Sequence, residues 1–122
     1  VDSPKVAEAA FSVWLSSPGK LKVGQQASVQ VVLVPKGDFH TNENYPYKMK
    51  LDAPPAGISY PSPVVRREAL TRSPERASMA VPVVATAAGD QRISGTFSFS
   101  VCNAGQCVVD SRALAVNVTV EP

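Results

Sequence analysis

The segment RISGTFSFSVC, Arg92 to Cys102, decides the fold class. Ile93, Phe97, Phe99 and Val101 share one parity, while Ser94, Thr96, Ser98, Ser100 and Cys102 share the other. Successive side chains of a β-strand point to opposite faces, so this alternation turns the aromatic residues toward a core and the hydroxyls away from it. Downstream, ALAVNVTV (113–120) sets Leu114, Val116, Val118 and Val120 on one face and reads as the last strand. Upstream, Ala88-Gly89-Asp90-Gln91 reads as a hairpin turn that follows a strand at SMAVPVVA (78–85), where Pro82 marks a sheet edge or a bulge.

Toward the N-terminus the same period recurs. In YKMKLD, Tyr47, Met49 and Leu51 face one way and Lys48 and Lys50 the other, the pattern of a half-buried strand. AEAAFSVWL (7–15) is the first strand, with Phe11, Val13 and Leu15 opposite Trp14. A turn at Ser17-Pro18-Gly19 leads into residues 20–35, where Gly24 and Gln25 separate one strand from the next, ASVQVVLV. Four prolines and a glycine between Ala53 and Pro63 exclude a long helix there. VVRREALTRSPE (64–75) is the one helix-like pattern; Pro74 ends it early, and in a β domain it reads as a loop or short edge segment carrying Arg66, Arg67, Arg72 and, at its end, Arg76. Seven or eight short strands at this spacing predict one domain over residues 1–122, an all-β, immunoglobulin-like antiparallel β-sandwich.

At 122 residues, 44% hydrophobic, the chain is long enough to bury a core without a cross-link. A net charge of +2 gives no field strong enough to argue for nucleic acid or an anionic membrane as partner, and neither is expected. No run approaches the eighteen or so apolar residues of a membrane helix, and the opening VDSPK lacks the features of a signal peptide, as expected of a mature or trimmed secreted chain.

Only two cysteines occur, Cys102 and Cys107 in VCNAGQC. The residues between them include the Asn and Gly of a tight reversal, so the pair can face each other on adjacent hairpin arms at bridging distance. Such a bridge closes a loop of about six residues and adds only roughly 2 kcal/mol by chain entropy. The spacing leaves three readings open: a structural clip, a redox pair, or two free thiols. It lacks the C-x-x-C spacing at a helix N-terminus that lowers a thiol pKa, so a redox pair here serves as a disulfide that a partner attacks.

Of the remaining reactive side chains, His40 is the single histidine, in FHTNENYP. It reads either as a surface imidazole or, if folding brings it to the sulfurs, as a group that positions or protonates a leaving thiolate. One His, two Met (Met49 and Met79) and two Cys without a local cluster predict no metal. Tyr45 and Tyr60, each beside a proline, are candidates to shield the cysteines, whereas Tyr47 belongs to the core by its parity. Neither a Ser-His-Asp arrangement nor a close carboxylate pair is visible, which leaves hydrolytic chemistry without machinery.

FSFSVCNAGQCVV, together with GDFHTNENYPYKMKL, PPAGISYP and AAGDQRISG, resembles the amino-terminal periplasmic domain of the thiol:disulfide interchange protein DsbD and related disulfide-corrector-like domains, from about Val29 to Val120. That resemblance implies an immunoglobulin-like fold without metal or organic cofactor. It implies that Cys102 and Cys107 relay electrons from a thioredoxin-like donor to oxidised extracytoplasmic proteins, with Cys107 attacked to form the mixed disulfide. It implies a periplasmic location, in some relatives as part of a larger membrane-anchored protein. The chain departs from the best-known member, whose cysteines lie one residue further apart beneath a cap loop with an Asp-Glu-Phe run. The matching region here, about Pro61 to Leu70, has no phenylalanine and offers Glu68 and Leu70 as counterparts. The rival reading is a noncatalytic binding or accessory β-sandwich whose disulfide fastens a hairpin.

Overall fold

The computed structural model describes residues 2–122. These form twelve strands: β1 (Val6–Ala7), β2 (Phe11–Ser16), β3 (Lys20–Lys22), β4 (Gln26–Pro35), β5 (His40–Thr41), β6 (Lys48–Leu51), β7 (Ile58–Ser59), β8 (Val64–Arg66), β9 (Leu70–Ser73), β10 (Arg76–Ala85), β11 (Gly89–Cys102) and β12 (Cys107–Glu121). One sheet has the order β1-β2-β4-β10-β7, with β9 also on β10; the other has the order β3-β12-β11-β6-β8, with β5 also on β11. Every pairing is antiparallel except β3 with β12.

The fold is an immunoglobulin-like β-sandwich, and the alternations in the sequence build its interior. Phe11, Val13 and Leu15 of β2 and Met79, Val81 and Val83 of β10 are buried from one sheet; Met49, Phe97, Phe99, Val116 and Val118 are buried from the other. Phe11 meets Phe99 edge to face at 4.8 Å, and Phe99 stacks on Phe97 at 5.5 Å, geometries that add to area burial for aromatic pairs. Gly95 leaves no room for a side chain against β6: a Cβ there would lie 2.6 Å from the Lys50 carbonyl oxygen and 2.9 Å from Met49 Cε. Gly24, at φ +88°, turns the chain between β3 and β4 and donates its N–H to the Ala85 carbonyl at 2.8 Å.

Three expectations change. Ala88–Gln91 is not a hairpin turn, because β10 and β11 lie in different sheets and the chain crosses between them there. Both flanks of β10 are already taken, by β4 on one side and by β9 and β7 on the other, so it has no place for β11. Gly89 instead opens β11, and Asp90 and Gln91 pair with Thr119 and Val118. The strands also outnumber the predicted seven or eight, since two-residue strands such as β1, β5 and β7 are too short to show an alternation. Finally, the first strand breaks after Ala7 and resumes at Phe11. Pro82 lies in the interval of β10 between the residues that pair with β9 and those that pair with β7, a local edge. Segment 64–75 divides into β8, a 3-10 turn at Arg67–Ala69 and β9, the short edge segments expected of it.

Candidate functional site

The β11–β12 ribbon runs from Gly89↔Val120 to Cys102↔Cys107, and a disulfide joins the two cysteines across Cα atoms 4.0 Å apart. Asn103 shapes the tip. Its Oδ1 accepts the N–H groups of Gly105 at 3.0 Å and Gln106 at 2.9 Å, and its own N–H donates to the Gln106 carbonyl at 2.8 Å. This is the side-chain turn that Asn forms readily. Partners in a ladder share a face, so both sulfurs lie on the outer, serine-bearing side of the sheet, as the alternation predicts. Their exposure differs nonetheless. Cys102 is 8% exposed because β11 is flanked on both sides, whereas Cys107 is exposed because β3 reaches β12 only at Thr119–Glu121.

The strand on the far side of Cys102 carries His40, which pairs directly with it. His40, Cys102 and Cys107 therefore form a row across three strands on one face. β5 is short, and Thr41 fastens it. The Thr41 N–H donates to the Pro74 carbonyl at 3.0 Å, its hydroxyl donates to the Ser73 carbonyl at 2.6 Å, and Arg72 Nη1 donates to that hydroxyl at 2.9 Å. The turn between β9 and β10 in one sheet thus holds the strand beside the disulfide in the other. An open groove of about 370 Å³ results, lined by His40 to Asn44, Arg72, Pro74 and both cysteines. Arg72 and Glu43 face each other on its wall at 3.7 Å.

Below the sulfurs sits a polar plug. Tyr47 donates its hydroxyl to the Asn42 carbonyl at 2.6 Å and approaches the Ser100 carbonyl at 3.0 Å; Asn42 also donates its N–H to that carbonyl at 3.1 Å and its side-chain amide to the Ser100 hydroxyl at 3.2 Å. Burial pushes the Tyr47 phenol up to about 12, against the lowering influence of Arg72 and Arg67. Tyr47 is a core residue with a polar tip.

The remaining predicted residues do not reach the groove. Tyr45 is half-buried one layer away, with its ring edge to face on Tyr47 at 5.3 Å, and its carbonyl accepts from Arg67. Tyr60 follows β7, which pairs with the end of β10, whereas the disulfide groove adjoins that strand's beginning. Ten residues of strand separate the two ends by about 30 Å. The Tyr60 hydroxyl is buried without a hydrogen bond of good geometry, and burial raises its pKa. Glu68 lies on a separate depression with Val64, Arg66, Ala80 and Pro82. Leu70 is half-buried against the core and pairs with Met79. Residues 61–70 therefore do not cover the cysteines; Arg72, Pro74 and residues 42–44 stand in that place. Sequence reasoning missed Thr41, Asn42 and Arg72 as parts of the site, because a two-residue strand and a turn of the opposite sheet bring them to the cysteines and neither leaves a periodic signal. Among the described residues no three His, Cys, Asp or Glu side chains gather to hold a metal, and no helix is long and apolar enough to cross a membrane.

No family model matches this chain, and no curated protein matches it. Among solved structures it is similar to native alpha-2-macroglobulin from Escherichia coli, in the part running from domain MG7 to the C-terminus, at 18% identity and a TM-score of 0.53 over 98% of this chain. This chain spans 17% of the length of that one, and the likeness concerns the fold alone. AggA, the major subunit of aggregative adherence fimbriae type I from Escherichia coli, aligns at 8% identity and a TM-score of 0.42 over 91% of this chain and 95% of its own.

Proposed function

We propose that this chain is an extracytoplasmic thiol-disulfide exchange domain of the DsbD-like kind, taking electrons from a thioredoxin-like donor and passing them to oxidised periplasmic or secreted proteins. The observation that carries this reading is a disulfide with one exposed sulfur-bearing residue, at the mouth of an open groove and beside the single histidine. In the exchange, a donor thiolate attacks Cys107 Sγ. The bond to Cys102 breaks, its electron pair leaves on Cys102, and a mixed disulfide joins donor and Cys107. The donor's second thiolate then attacks its own bonded sulfur, forming the donor disulfide and releasing the Cys107 thiolate. Two electrons now reside on the domain, which becomes a dithiol with two protons from solvent. The same steps in reverse reduce the acceptor. The ladder pairing of His40 with Cys102 supports a role for the imidazole in holding or protonating the departing thiolate.

The rival, a noncatalytic binding domain with a hairpin clip, draws support from the Asn103 turn, which orders the tip by hydrogen bonds of its own. A redox titration separates the two. An exchange domain equilibrates with a glutathione or thioredoxin couple, and a resolving-Cys→Ser thioredoxin becomes trapped on Cys107. A potential below about −300 mV, where inert structural disulfides lie, rejects the exchange reading.

A further inference from the structure

Resting on the exchange reading, we infer that the thiol-bearing partner docks by adding a short strand to the open edge of β12 at Cys107–Val109. Backbone parity decides which groups of β12 face outward. The Asn103 N–H donates to the Gln106 carbonyl, so residues 103 and 106 form a hydrogen-bonded pair and Cys102↔Cys107 the next, non-bonded one. In the unbroken register that follows, odd-numbered residues of β12 turn their N–H and C=O groups away from β11. Two contacts agree: Thr119 donates its N–H outward to Gly19 at 2.9 Å, and the Glu121 carbonyl accepts outward from Val23 at 3.0 Å. Between Cys107 and Asn117 no strand of the described residues covers this edge.

Open edges are templates for pairing, and native proteins block those that must stay free. The middle of this edge is blocked. The Asp110 carboxylate accepts the Ser111 N–H at 2.8 Å and Arg112 Nε at 2.9 Å, and Arg112 reaches Glu8 at 3.2 Å while lying over the Phe11 ring. The stretch between this barrier and the disulfide carries no such device. Cys107 and Val109 present their backbone groups to solvent, and the Val109 side chain, 62% exposed, stands on the same face as the sulfurs. The unguarded edge therefore ends at the sulfur that a partner attacks, and it offers two outward residues, Cys107 and Val109, for backbone pairing. Its occupant is an extended segment of the partner with an apolar residue over Val109, whose register sets the incoming thiolate in line with the Cys102–Cys107 bond.

Val109→Pro tests this, because it removes an outward N–H while leaving the ladder to β11 intact. Ligation at Cys107 provides a second variant, with the α-hydroxy analogue of valine at 109 replacing that N–H by oxygen at unchanged side-chain shape. Both are assayed as oxidised protein for reduction by a reduced bacterial thioredoxin and by dithiothreitol, which is too small to pair along a strand. The expected result is about tenfold slower reduction by thioredoxin, the loss of one docking hydrogen bond, with unchanged rates for dithiothreitol. Unchanged thioredoxin rates in the ester variant overturn the inference and leave the exchange reading standing, as does equal slowing with both reductants. Wild-type protein that dithiothreitol reduces and thioredoxin does not overturns both. A concentration-dependent wild-type dimer that Val109→Pro dissolves assigns the edge to a second copy and overturns the docking inference.

Discussion

Opening the disulfide should leave the sandwich folded. The bridge closes a loop of about six residues, for which the chain-entropy relation gives about 2 kcal/mol at 25 °C. The surroundings make that figure a ceiling. Beneath the bridge the ribbon stays paired down to Gly89↔Val120, Asn103 holds the turn, and β5 is fastened through Thr41 to Ser73 and Pro74 without the sulfurs. Linkage turns the same quantity into a potential. A bond that stabilises the native state by about 2 kcal/mol is harder to reduce there than in the unfolded chain by about 45 mV, at 30 mV per 1.4 kcal/mol. The assay compares urea unfolding of the oxidised protein with that of the dithiothreitol-reduced protein, followed by far-UV circular dichroism. The midpoint should fall by an amount worth no more than about 2 kcal/mol, with the slope of the transition little changed. A loss beyond about 4 kcal/mol, or a reduced protein without a cooperative transition, refutes this reasoning and makes the bridge a structural staple.

Other consequences follow from the same packing. Tyr47→Phe removes the hydroxyl shared by the Asn42 and Ser100 carbonyls and should lower stability by about 1–2 kcal/mol in chemical denaturation. Because the native Tyr47 phenol is raised from its ordinary 10.0 to about 12, its contribution is intact below pH 10 and is lost as pH rises through 12; denaturation midpoints from pH 9 upward should decline less in Tyr47→Phe than in the wild type, with the buried Tyr60 phenol accounting for decline that persists. Gly95→Ala drives a methyl into the Lys50 carbonyl and should cost about 1–3 kcal/mol by thermal or urea unfolding, without slowing dithiothreitol reduction of the remaining native protein. If His40 assists the departing thiolate, His40→Ala should slow reduction severalfold at neutral pH while leaving the unfolding midpoint unchanged. Equal rates would remove His40 from the mechanism.

Much of the fold was legible because long strands repeat their period often enough to be read. Ile93, Phe97, Phe99 and Val101 of β11 and Leu114, Val116, Val118 and Val120 of β12 disclosed a face apiece, and all are buried. What the sequence could not disclose was which strand neighbours which. Ala88–Gln91 has the composition of a hairpin turn, and composition is the same whether the chain returns to its own sheet or crosses to the other. The site was legible only in part for the same reason. Cys102 and Cys107 are close in sequence and were readable together, but His40 is brought beside them by a two-residue strand with no detectable alternation. Arg72 arrives from the opposite sheet. Conversely, Tyr60 and Glu68 had suitable chemistry, yet the first belongs to the far end of β10 and the second to a different surface depression.

The two ends of the bridge are unlike because their strands are unlike, and this bears on the direction of exchange. β11 is an inner strand, so Cys102 has β12 on one side and His40 on the other; β12 is an edge at this level, so Cys107 has a neighbour on one side only. A thiolate must approach along the line of the sulfur–sulfur bond, and the open side belongs to Cys107. On the proposed exchange reading the leaving sulfur is then Cys102, whose ladder partner is His40 and whose strand carries Ser100, bonded to Asn42. Covering the edge strand or uncovering the inner one should therefore change which cysteine is captured. A resolving-Cys→Ser thioredoxin mixed with the wild-type disulfide should yield adducts at Cys107, located by peptide mass mapping. Adducts chiefly at Cys102 would show that strand order does not govern access, and the assignment of roles to the two sulfurs would have to be reversed.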